Sequence, residues 1–298
     1  MKILVFGRSG QLARALAEEL GEYQPIFVAR PELDLEVPGQ GAEAIAASGA
    51  DFVINAAAFT AVDAAEGEGA LANQRLNAEA PGELAAAAAA IGAPIVHVST
   101  DYVFDGRASR PWREDDMVAP LGAYGRAKLA GERAVAAGNP RHLLLRTAWV
   151  ISPWGRNFVR TMLAAAERGA DLKVVADQSG SPTSASDLAR GIVAVARHFA
   201  AEGDAPWGLY HLAGAGSASW HELAEATMAE AAAAGLPAVP VRPIATADWP
   251  TPAPRPANSE LDSSRFAGAF DFAMPEWRRS LASIVARIAA DRRSDQAA

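Results

Sequence analysis

The first twenty residues constrain the fold of this chain more than any other segment. Lys2–Phe6 form an apolar run of the β-strand type, and the run leads directly into Gly7-Arg8-Ser9-Gly10. Leucines at 12, 16 and 20 then follow the spacing of one face of a helix. This order is typical of a dinucleotide-binding unit, in which the glycines form a tight turn and amides at the helix N-terminus face a pyrophosphate. A purely structural turn is the alternative interpretation of the two glycines.

Strand and helix signals alternate through the first half of the chain. Apolar, strand-like runs at residues 26–29, 51–55, 95–99 and 142–146 are separated by helical patterns. The alternation predicts an α/β protein with a Rossmann-type, doubly wound parallel sheet that helices cover on both faces. We expect residues 1–149 to form an NADP(H)-binding Rossmann domain. Residues 150–298 are expected to be mainly a smaller C-terminal α/β substrate-binding domain, with segments near 172–213 returning to the Rossmann domain.

The charge and the composition exclude several classes of function. The chain has 298 residues, a net charge of −8 and no cysteine. Proteins that bind nucleic acid usually have a basic face, so we expect no nucleic-acid partner. The absence of cysteine excludes disulfides and thiol nucleophiles. The apolar N-terminal run is too short for a signal peptide, and no segment resembles a membrane span, so we expect a cytoplasmic protein without a membrane partner.

The end of the second strand indicates which dinucleotide is bound. An acidic residue there usually selects NAD, whereas a basic residue accommodates the 2′-phosphate of NADP. This chain has Arg30 at that place and Arg8 in the glycine loop. We therefore expect NADPH as cofactor, with NADH possible, although Arg30 could also be a solvated surface charge. Asp34, just beyond, would hydrogen-bond the adenine or cap a turn.

Tyr124 and Lys128 lie four residues apart in a helical pattern and therefore share one helix face. The ammonium of Lys128 would then lower the pKa of the Tyr124 phenol from its ordinary value of about 10. Such a phenol can exchange a proton with a carbonyl or an alcohol near neutral pH. Thr100 ends an upstream strand and would hydrogen-bond the reacting oxygen. The three residues predict the catalytic centre of a nicotinamide-dependent carbonyl reductase.

Other ionisable residues show no comparable pattern. The five histidines, at positions 97, 142, 198, 211 and 221, are scattered along the chain, and we expect each to be a core or surface residue. Acidic residues are abundant, but none has the spacing of metal ligands, and we expect no metal ion.

Eight segments, in order along nearly the whole chain, carry a family resemblance. They are GRSGQLA (7–13), NAAAFTAVDAAE (55–66), STDYVFDG (99–106), YGRAKLAGE (124–132), RTAWV (146–150), DQSGSPT (177–183), GLYHLAG (208–214) and RPANSELD (255–262). With them the chain resembles the extended short-chain dehydrogenase/reductases and, within that group, the dTDP-4-dehydrorhamnose reductases. STDYVFDG together with YGRAKLAGE is highly specific for this family and its close relatives.

The resemblance implies reduction of the 4-keto group of dTDP-4-dehydrorhamnose to dTDP-L-rhamnose. It implies Tyr124 as the proton donor, Lys128 as a cofactor-binding residue and Thr100 as a residue that tunes the site. The cofactor would be lined by Gly10, Gln11, Leu12, Asp34, Leu35, Ala58, Phe59 and Thr60. The nucleotide-sugar would be contacted by Thr100, Asp101 and Trp149, with Arg255 and Asn258 placed nearby.

The chain departs from some members of this family at two positions. A glutamate that helps those members hold a magnesium ion at a dimer interface is replaced here by Ala15. We therefore expect neither that metal site nor dependence on that dimer, and predict a monomer or a weak homodimer. Arg30 replaces an acidic residue of some members, which favours NADPH.

Two other functions remain open from the sequence. One is a reductase or epimerase that acts on a different nucleotide-sugar, because a few side chains choose the sugar. The other is a non-catalytic regulatory subunit that keeps the fold and binds NADP. The intact set of Thr100, Tyr124 and Lys128 argues against the regulatory subunit.

Overall fold

The computed structural model describes residues 1–297, and its side chains as far as residue 294. The helices are α1 (Gln11–Glu19), α2 (Gln40–Ser48), α3 (Ala70–Gln74), α4 (Ala80–Ala90), α5 (Ala123–Gly138), α6 (Phe158–Glu167), α7 (Ala185–Glu202), α8 (Trp220–Ala233), α9 (Ser264–Phe270) and α10 (Trp277–Ala297). The strands are β1 (Lys2–Phe6), β2 (Gln24–Val28), β3 (Phe52–Asn55), β4 (Ile95–Thr100), β5 (His142–Thr147), β6 (Val150–Ile151), β7 (Leu172–Val175), β8 (Ser179–Gly180), β9 (Thr183–Ser184), β10 (Gly208–His211), β11 (Ala218–Ser219), β12 (Val241–Ile244) and β13 (Asn258–Ser259).

Six strands form one parallel sheet in the order β10-β5-β4-β3-β1-β2. The chain passes from β1 to its neighbour β2, and then crosses back to place β3 on the other side of β1. The winding direction therefore reverses between β1 and β3. In open sheets of this kind, ligands bind at the reversal, beyond the carboxyl ends of the strands. The predicted fold class is confirmed.

Strand β1 shows why the sheet is covered on both faces. Ile3 and Val5 pack in a core with residues of α1 and α7, whereas Leu4 and Phe6 pack in a second core with residues of α2, α4 and α5. Alternate side chains of a strand point to opposite faces, so an unbroken apolar run needs cover on each face. All four side chains are at most 1% exposed, which fixes the position of the loop that follows.

Three smaller sheets, β7–β12, β11-β8-β13 and β6–β9, lie in the second half of the chain. Helices α6, α8 and α10 share a third core there, which includes Trp277. Within the segment 172–213, α7 packs on the large sheet and β10 pairs with β5. Strand β7, which the sequence also predicts to return, pairs with β12 instead. A strand of four residues, three of them apolar, does not specify which sheet edge accepts it.

Among the helices within residues 1–297, none combines the length and the apolar character that crossing a membrane requires.

Candidate active site

A cleft of about 620 Å³, here called the central cleft, lies at the carboxyl edge of the large sheet. Its walls are the loop after β1, the ends of β3, β4 and β5, helix α5, residues 149–157 and one residue of α8. A second pocket of about 270 Å³, here called the adjoining pocket, lies beside the end of β2. Both are lined by Ser9, Gly10 and Ala56–Ala58, so they form two ends of one groove across the point where the winding reverses.

The glycine loop leaves room for a ligand at the middle of this groove. Gly7 has φ +114°, a conformation that side chains rarely adopt. A Cβ at Gly10 would meet no atom within 4 Å, so a side chain there would fill the groove. Gly10 also caps α1, and no side chain bonds to the first amides of that helix. Free amides at a helix N-terminus bind phosphate, so the loop fits a dinucleotide pyrophosphate.

The adjoining pocket contains both arginines that the sequence assigns to the 2′-phosphate. Arg8 forms an ion pair with Glu32, in which its Nη1 lies 3.1 and 3.0 Å from the two carboxylate oxygens. Arg30 is exposed and lies 3.4 Å from a carboxylate oxygen of Glu36 and 3.9 Å from one of Asp34. Asp34 accepts the backbone N–H of Glu36 at 2.9 Å, so its carboxylate caps a turn. A phosphate would compete with three carboxylates for the two arginines.

The predicted catalytic residues Thr100, Tyr124 and Lys128 all line the central cleft. Thr100 ends β4, and its hydroxyl donates to Asp101 Oδ1 at 2.9 Å and accepts the Tyr102 N–H at 3.2 Å. Tyr124 and Lys128 project from the first turns of α5. The tertiary structure thus places the side chain of Thr100 in the same cleft as that of Tyr124, which lies 24 positions further along the sequence.

The expectation that Lys128 lowers the pKa of Tyr124 is wrong for this structure. Burial, followed by the charge of Asp101, raises the pKa of the phenol well above its ordinary value, and Thr100 only partly opposes the rise. Lys128 Nζ donates instead to the Val98 carbonyl at 2.6 Å and lies 3.2 Å from His97 Nε2. Spacing along a helix gives a shared face, but it does not say which acceptor a four-carbon side chain will reach.

Asp101 is the second ionisable group at this end of the cleft. The carboxyl is buried, and its Oδ2 has no hydrogen-bond partner among the side chains that the structure describes. Burial raises its pKa to about 7, against the lowering effect of hydrogen bonds from Thr100 and its neighbours. Asp101 therefore exchanges its proton near neutral pH and can be either a donor or an acceptor in the cleft.

Two stacked tryptophans, Trp149 and Trp220, also line the central cleft. Trp149 lies flat against Trp220 of α8, with ring centroids 3.4 Å apart and planes within 7°. Phe158 packs against Trp220 at 4.8 Å. Trp149 has φ 44°, one of two positive values among non-glycine residues in the described part of the chain. The sequence motifs include Trp149 but not Trp220, because nothing in the sequence signals a stack between residues so far apart.

The remaining predicted site residues divide into two groups. Those at the two ends of the groove are Gly7, Gly10, Gln11, Leu12, Arg30, Asp34, Leu35, Ala58, Thr60, Asp101 and Trp149. Phe59, Arg255 and Asn258 lie outside both linings.

The three residues outside both linings, Phe59, Arg255 and Asn258, make contacts with other parts of the protein. The Phe59 amide donates to the Asn77 side chain at 3.2 Å. Arg255 pairs with Asp63 at 2.9 Å and lies 6.0 Å over the ring of Tyr102, which does line the cleft. Asn258 donates to the carbonyls of Ala108 and Arg110. Arg255 and Asn258 thus hold loops around the cleft. A sequence motif cannot distinguish such a structural role from contact with a ligand.

Comparisons with known proteins agree with this geometry. Residues 1–290 match the family described as RmlD substrate binding domain. The chain is 45% identical to the dTDP-4-dehydrorhamnose reductase of Burkholderia thailandensis, over 93% of this chain and 96% of that protein. It is 41% identical to a probable dTDP-4,6-dihydroxy-2-methyloxan-3-one 4-ketoreductase of Streptomyces antibioticus, over 94% and 93% of the two chains.

A solved structure is similar to this chain over nearly its whole length. The chain is similar to the dTDP-4-dehydrorhamnose reductase of Bacillus anthracis in complex with NADP, with a TM-score of 0.86 and 32% identity, over 95% of this chain and 98% of that chain. The sheet, the glycine loop and the cleft therefore define a Rossmann-type enzyme of the extended short-chain dehydrogenase/reductase class. Within that class, this chain belongs to the dTDP-4-dehydrorhamnose reductase family, whose family description names the RmlD substrate binding domain.

Proposed function

We propose that this protein reduces the 4-keto group of dTDP-4-dehydrorhamnose to give dTDP-L-rhamnose, with NADPH as the hydride donor. The observation that carries the proposal is the joint placement of Thr100, Tyr124 and Lys128 in the cleft that continues into the glycine loop. A dinucleotide whose pyrophosphate lies at Gly10 can extend one end toward Arg30 and the other toward Tyr124. The names of the similar proteins specify the ketone, the nucleotide-sugar and NADP.

The adjoining pocket holds the adenosine end of the cofactor. Arg8 and Arg30 supply the positive charge for the 2′-phosphate of NADPH. Glu32 and Glu36 reduce that charge through their ion pairs, which leaves NADH as a possible second donor. The preference between the two cofactors thus depends on how far phosphate displaces these carboxylates.

Tyr124 is the proposed acid of the reaction. The bound cofactor supplies a hydride to the carbonyl carbon, and the carbonyl oxygen must take up one proton. Because burial raises the pKa of Tyr124, the phenol keeps its proton in the resting enzyme and can donate it when negative charge develops on that oxygen. Lys128 lies in the same lining, where its ammonium would orient ribose hydroxyls and stabilise the phenolate.

Thr100 assists only when its own hydrogen is free. In this structure that hydrogen is bonded to Asp101 Oδ1. A protonated Asp101 no longer needs the hydrogen bond, so the Thr100 hydroxyl can then turn to the reacting oxygen. The pKa of Asp101, raised to about 7 by burial, makes this exchange available near neutral pH.

The second half of the chain is proposed to hold the nucleotide-sugar. Trp149 and Trp220 provide an apolar wall, and Asp101 provides polar contacts to the sugar. Residues 150–298 would form mainly the substrate-binding domain, apart from α7 and β10, which lie with the NADP(H)-binding domain 1–149. We further propose a cytoplasmic enzyme that is a monomer or a weak homodimer and has no nucleic-acid partner.

A reductase of a different nucleotide-sugar is the second candidate, because the Streptomyces relative is named for another dTDP-sugar ketone. Both candidates use the same acid and cofactor, so only the sugar separates them. The test is an assay of NADPH absorbance with each dTDP-4-keto sugar in turn. We expect the highest kcat/KM for dTDP-4-dehydrorhamnose. Faster turnover of another sugar would transfer the assignment to it, and turnover of none by the folded protein would favour a regulatory subunit.

A further inference from the structure

A buried row of three polar side chains lies at the central cleft, whose lining includes Asn55 and Lys128, and the reaction described above does not use all three. Asn55 ends β3, His97 lies in β4 and Lys128 lies on α5. Asn55 Nδ2 is 3.0 Å from His97 Nδ1, and His97 Nε2 is 3.2 Å from Lys128 Nζ. None of the three side chains is more than 1% exposed, so each must satisfy its hydrogen bonds with groups of the protein.

The orientation of the Asn55 amide determines which nitrogen of His97 carries the proton. The backbone N–H of Ala57 can only donate, and it donates to Asn55 Oδ1 at 3.1 Å. The Asn55 NH₂ group must therefore face His97 Nδ1. Because an NH₂ group is a donor, Nδ1 must accept, and the single proton of the neutral ring is on Nε2. Burial lowers the pKa of His97 well below its ordinary value, so the ring is neutral.

The Nε2–H of His97 then points at Lys128 Nζ. An ammonium has only donors, so it would oppose this N–H, whereas a neutral amine has one lone pair to accept it. The amine still has a hydrogen for the Val98 carbonyl at 2.6 Å. Burial independently lowers the pKa of Lys128 to about 8, so the neutral amine is the major form above that pH. The row is thus fully satisfied only if Lys128 is uncharged.

The other groups that face Lys128 do not remove this constraint. Glu132, one turn further along α5, raises the pKa of Lys128. Its carboxylate is already bonded to Arg146 at 2.9 and 2.8 Å and to Ser99 at 2.5 Å. Asp101 and Tyr124 also line the cleft beside Lys128, but neither is hydrogen-bonded to Nζ in the described structure.

We propose that His97 is a positioning residue that holds Lys128 as a neutral amine in the ligand-free protein at mildly alkaline pH. Lys128 gains a proton from solvent when its Nζ leaves His97 for an acceptor oxygen of a ligand in the cleft, and His97 keeps its own proton throughout. Ligand binding and the charging of Lys128 are therefore coupled. The proposal rests on the proposed function only in that the dinucleotide is the ligand that supplies the oxygen.

The tautomer of His97 can be tested without any assay of activity. Two-dimensional NMR of ligand-free protein with ¹⁵N-labelled histidine distinguishes a protonated Nε2 from a protonated Nδ1, and loss of the signal in His97→Gln assigns it. We expect the Nε2–H form. His211 is an internal control of similar burial, because its Nδ1 faces the Trp112 carbonyl at 3.0 Å and must carry the proton. An Nδ1–H form or a charged ring at His97 would overturn the proposal.

The coupling itself can be measured by calorimetry with NADP⁺ in two buffers of different ionisation enthalpy. Above pH 8 we expect the unsubstituted protein to take up as much as about one proton per bound NADP⁺. In His97→Gln the amide oxygen can accept from an ammonium, so Lys128 is charged beforehand and the uptake falls by at least half. His211→Gln should leave the uptake unchanged.

Equal uptake in His97→Gln and in the unsubstituted protein would refute the coupling. If His97→Gln does not fold, single substitutions of the other four histidines identify the His97 signal by elimination, and an Nδ1–H form or a charged ring there still overturns the proposal. A protein that shows the expected tautomer and proton uptake but reduces no dTDP-4-keto sugar would contradict the proposed function alone.

Discussion

Replacing Asp101 with asparagine should make the protein more stable at neutral pH, although it removes a charge that lines the cleft. The carboxyl is buried, and its pKa in the folded protein is about 7, against an ordinary value of 3.8 for an aspartate in water. Asparagine keeps an oxygen for the Thr100 hydroxyl and carries no charge at any pH. The substitution therefore removes the free-energy cost of burying a carboxylate and leaves the packing almost unchanged.

The size of the expected gain in the free energy of unfolding, and the pH range over which it develops, follow from the pKa values of Asp101 in the folded and unfolded protein. A carboxyl whose pKa is raised on folding stabilises the folded state below its unfolded pKa, and this contribution is lost as the pH rises to the folded pKa. A difference of about 3 units at about 1.36 kcal/mol per unit gives roughly 4 kcal/mol. Asp101→Asn should thus match the unsubstituted protein near pH 4 and exceed its free energy of unfolding by up to that amount above pH 7.

Urea unfolding at a series of pH values is the measurement. Asp116→Asn is a control of opposite sign, because Arg110 lowers the pKa of that carboxyl to about 2, well below its usual range. Asp116→Asn should lower the stability at pH 7, and the loss should shrink only in strong acid. If the difference between Asp101→Asn and the unsubstituted protein stayed constant from pH 4 to pH 8, the carboxyl would not be buried as described.

Three further substitutions test the site. Tyr124→Phe should lower kcat by about 10²–10⁴-fold and leave the affinity for NADP⁺ nearly unchanged, and a loss of activity below tenfold would exclude Tyr124 as the acid. Tyr210→Phe is the control and should retain full activity, because it removes a hydroxyl that lies outside the cleft and is bonded to the Pro206 carbonyl at 2.7 Å. Arg30→Asp should shift the kcat/KM ratio from NADPH toward NADH, and an unchanged ratio would show that Arg30 does not contact the phosphate. Gly10→Val should fold normally, because its Cβ meets no atom within 4 Å, yet should lose NADP⁺ binding in calorimetry; normal binding would refute the pyrophosphate assignment.

The sequence by itself determined the large sheet and the place of the ligand groove. Apolar runs of strand length, each followed by a helical pattern, allow few arrangements other than a parallel sheet with helices on both faces. The strand that leads into Gly7 and Gly10 places the phosphate loop, since Gly7 has a positive φ that few other residues adopt and Gly10 leaves open space for a ligand. These features are local in sequence, and local spacing is what a sequence pattern records.

Only the tertiary structure decided which side chains meet. Strand β7 pairs with β12 rather than with the large sheet, because several edges could accept a short apolar strand. Trp220 stacks on Trp149 although 70 residues of chain separate them. Lys128 bonds to Val98 and His97 rather than to Tyr124, and burial raises the pKa of the phenol. Burial and hydrogen-bond choice depend on residues distant in the chain, so helix spacing placed Tyr124 and Lys128 in one lining but gave the wrong direction of the pKa shift of Tyr124.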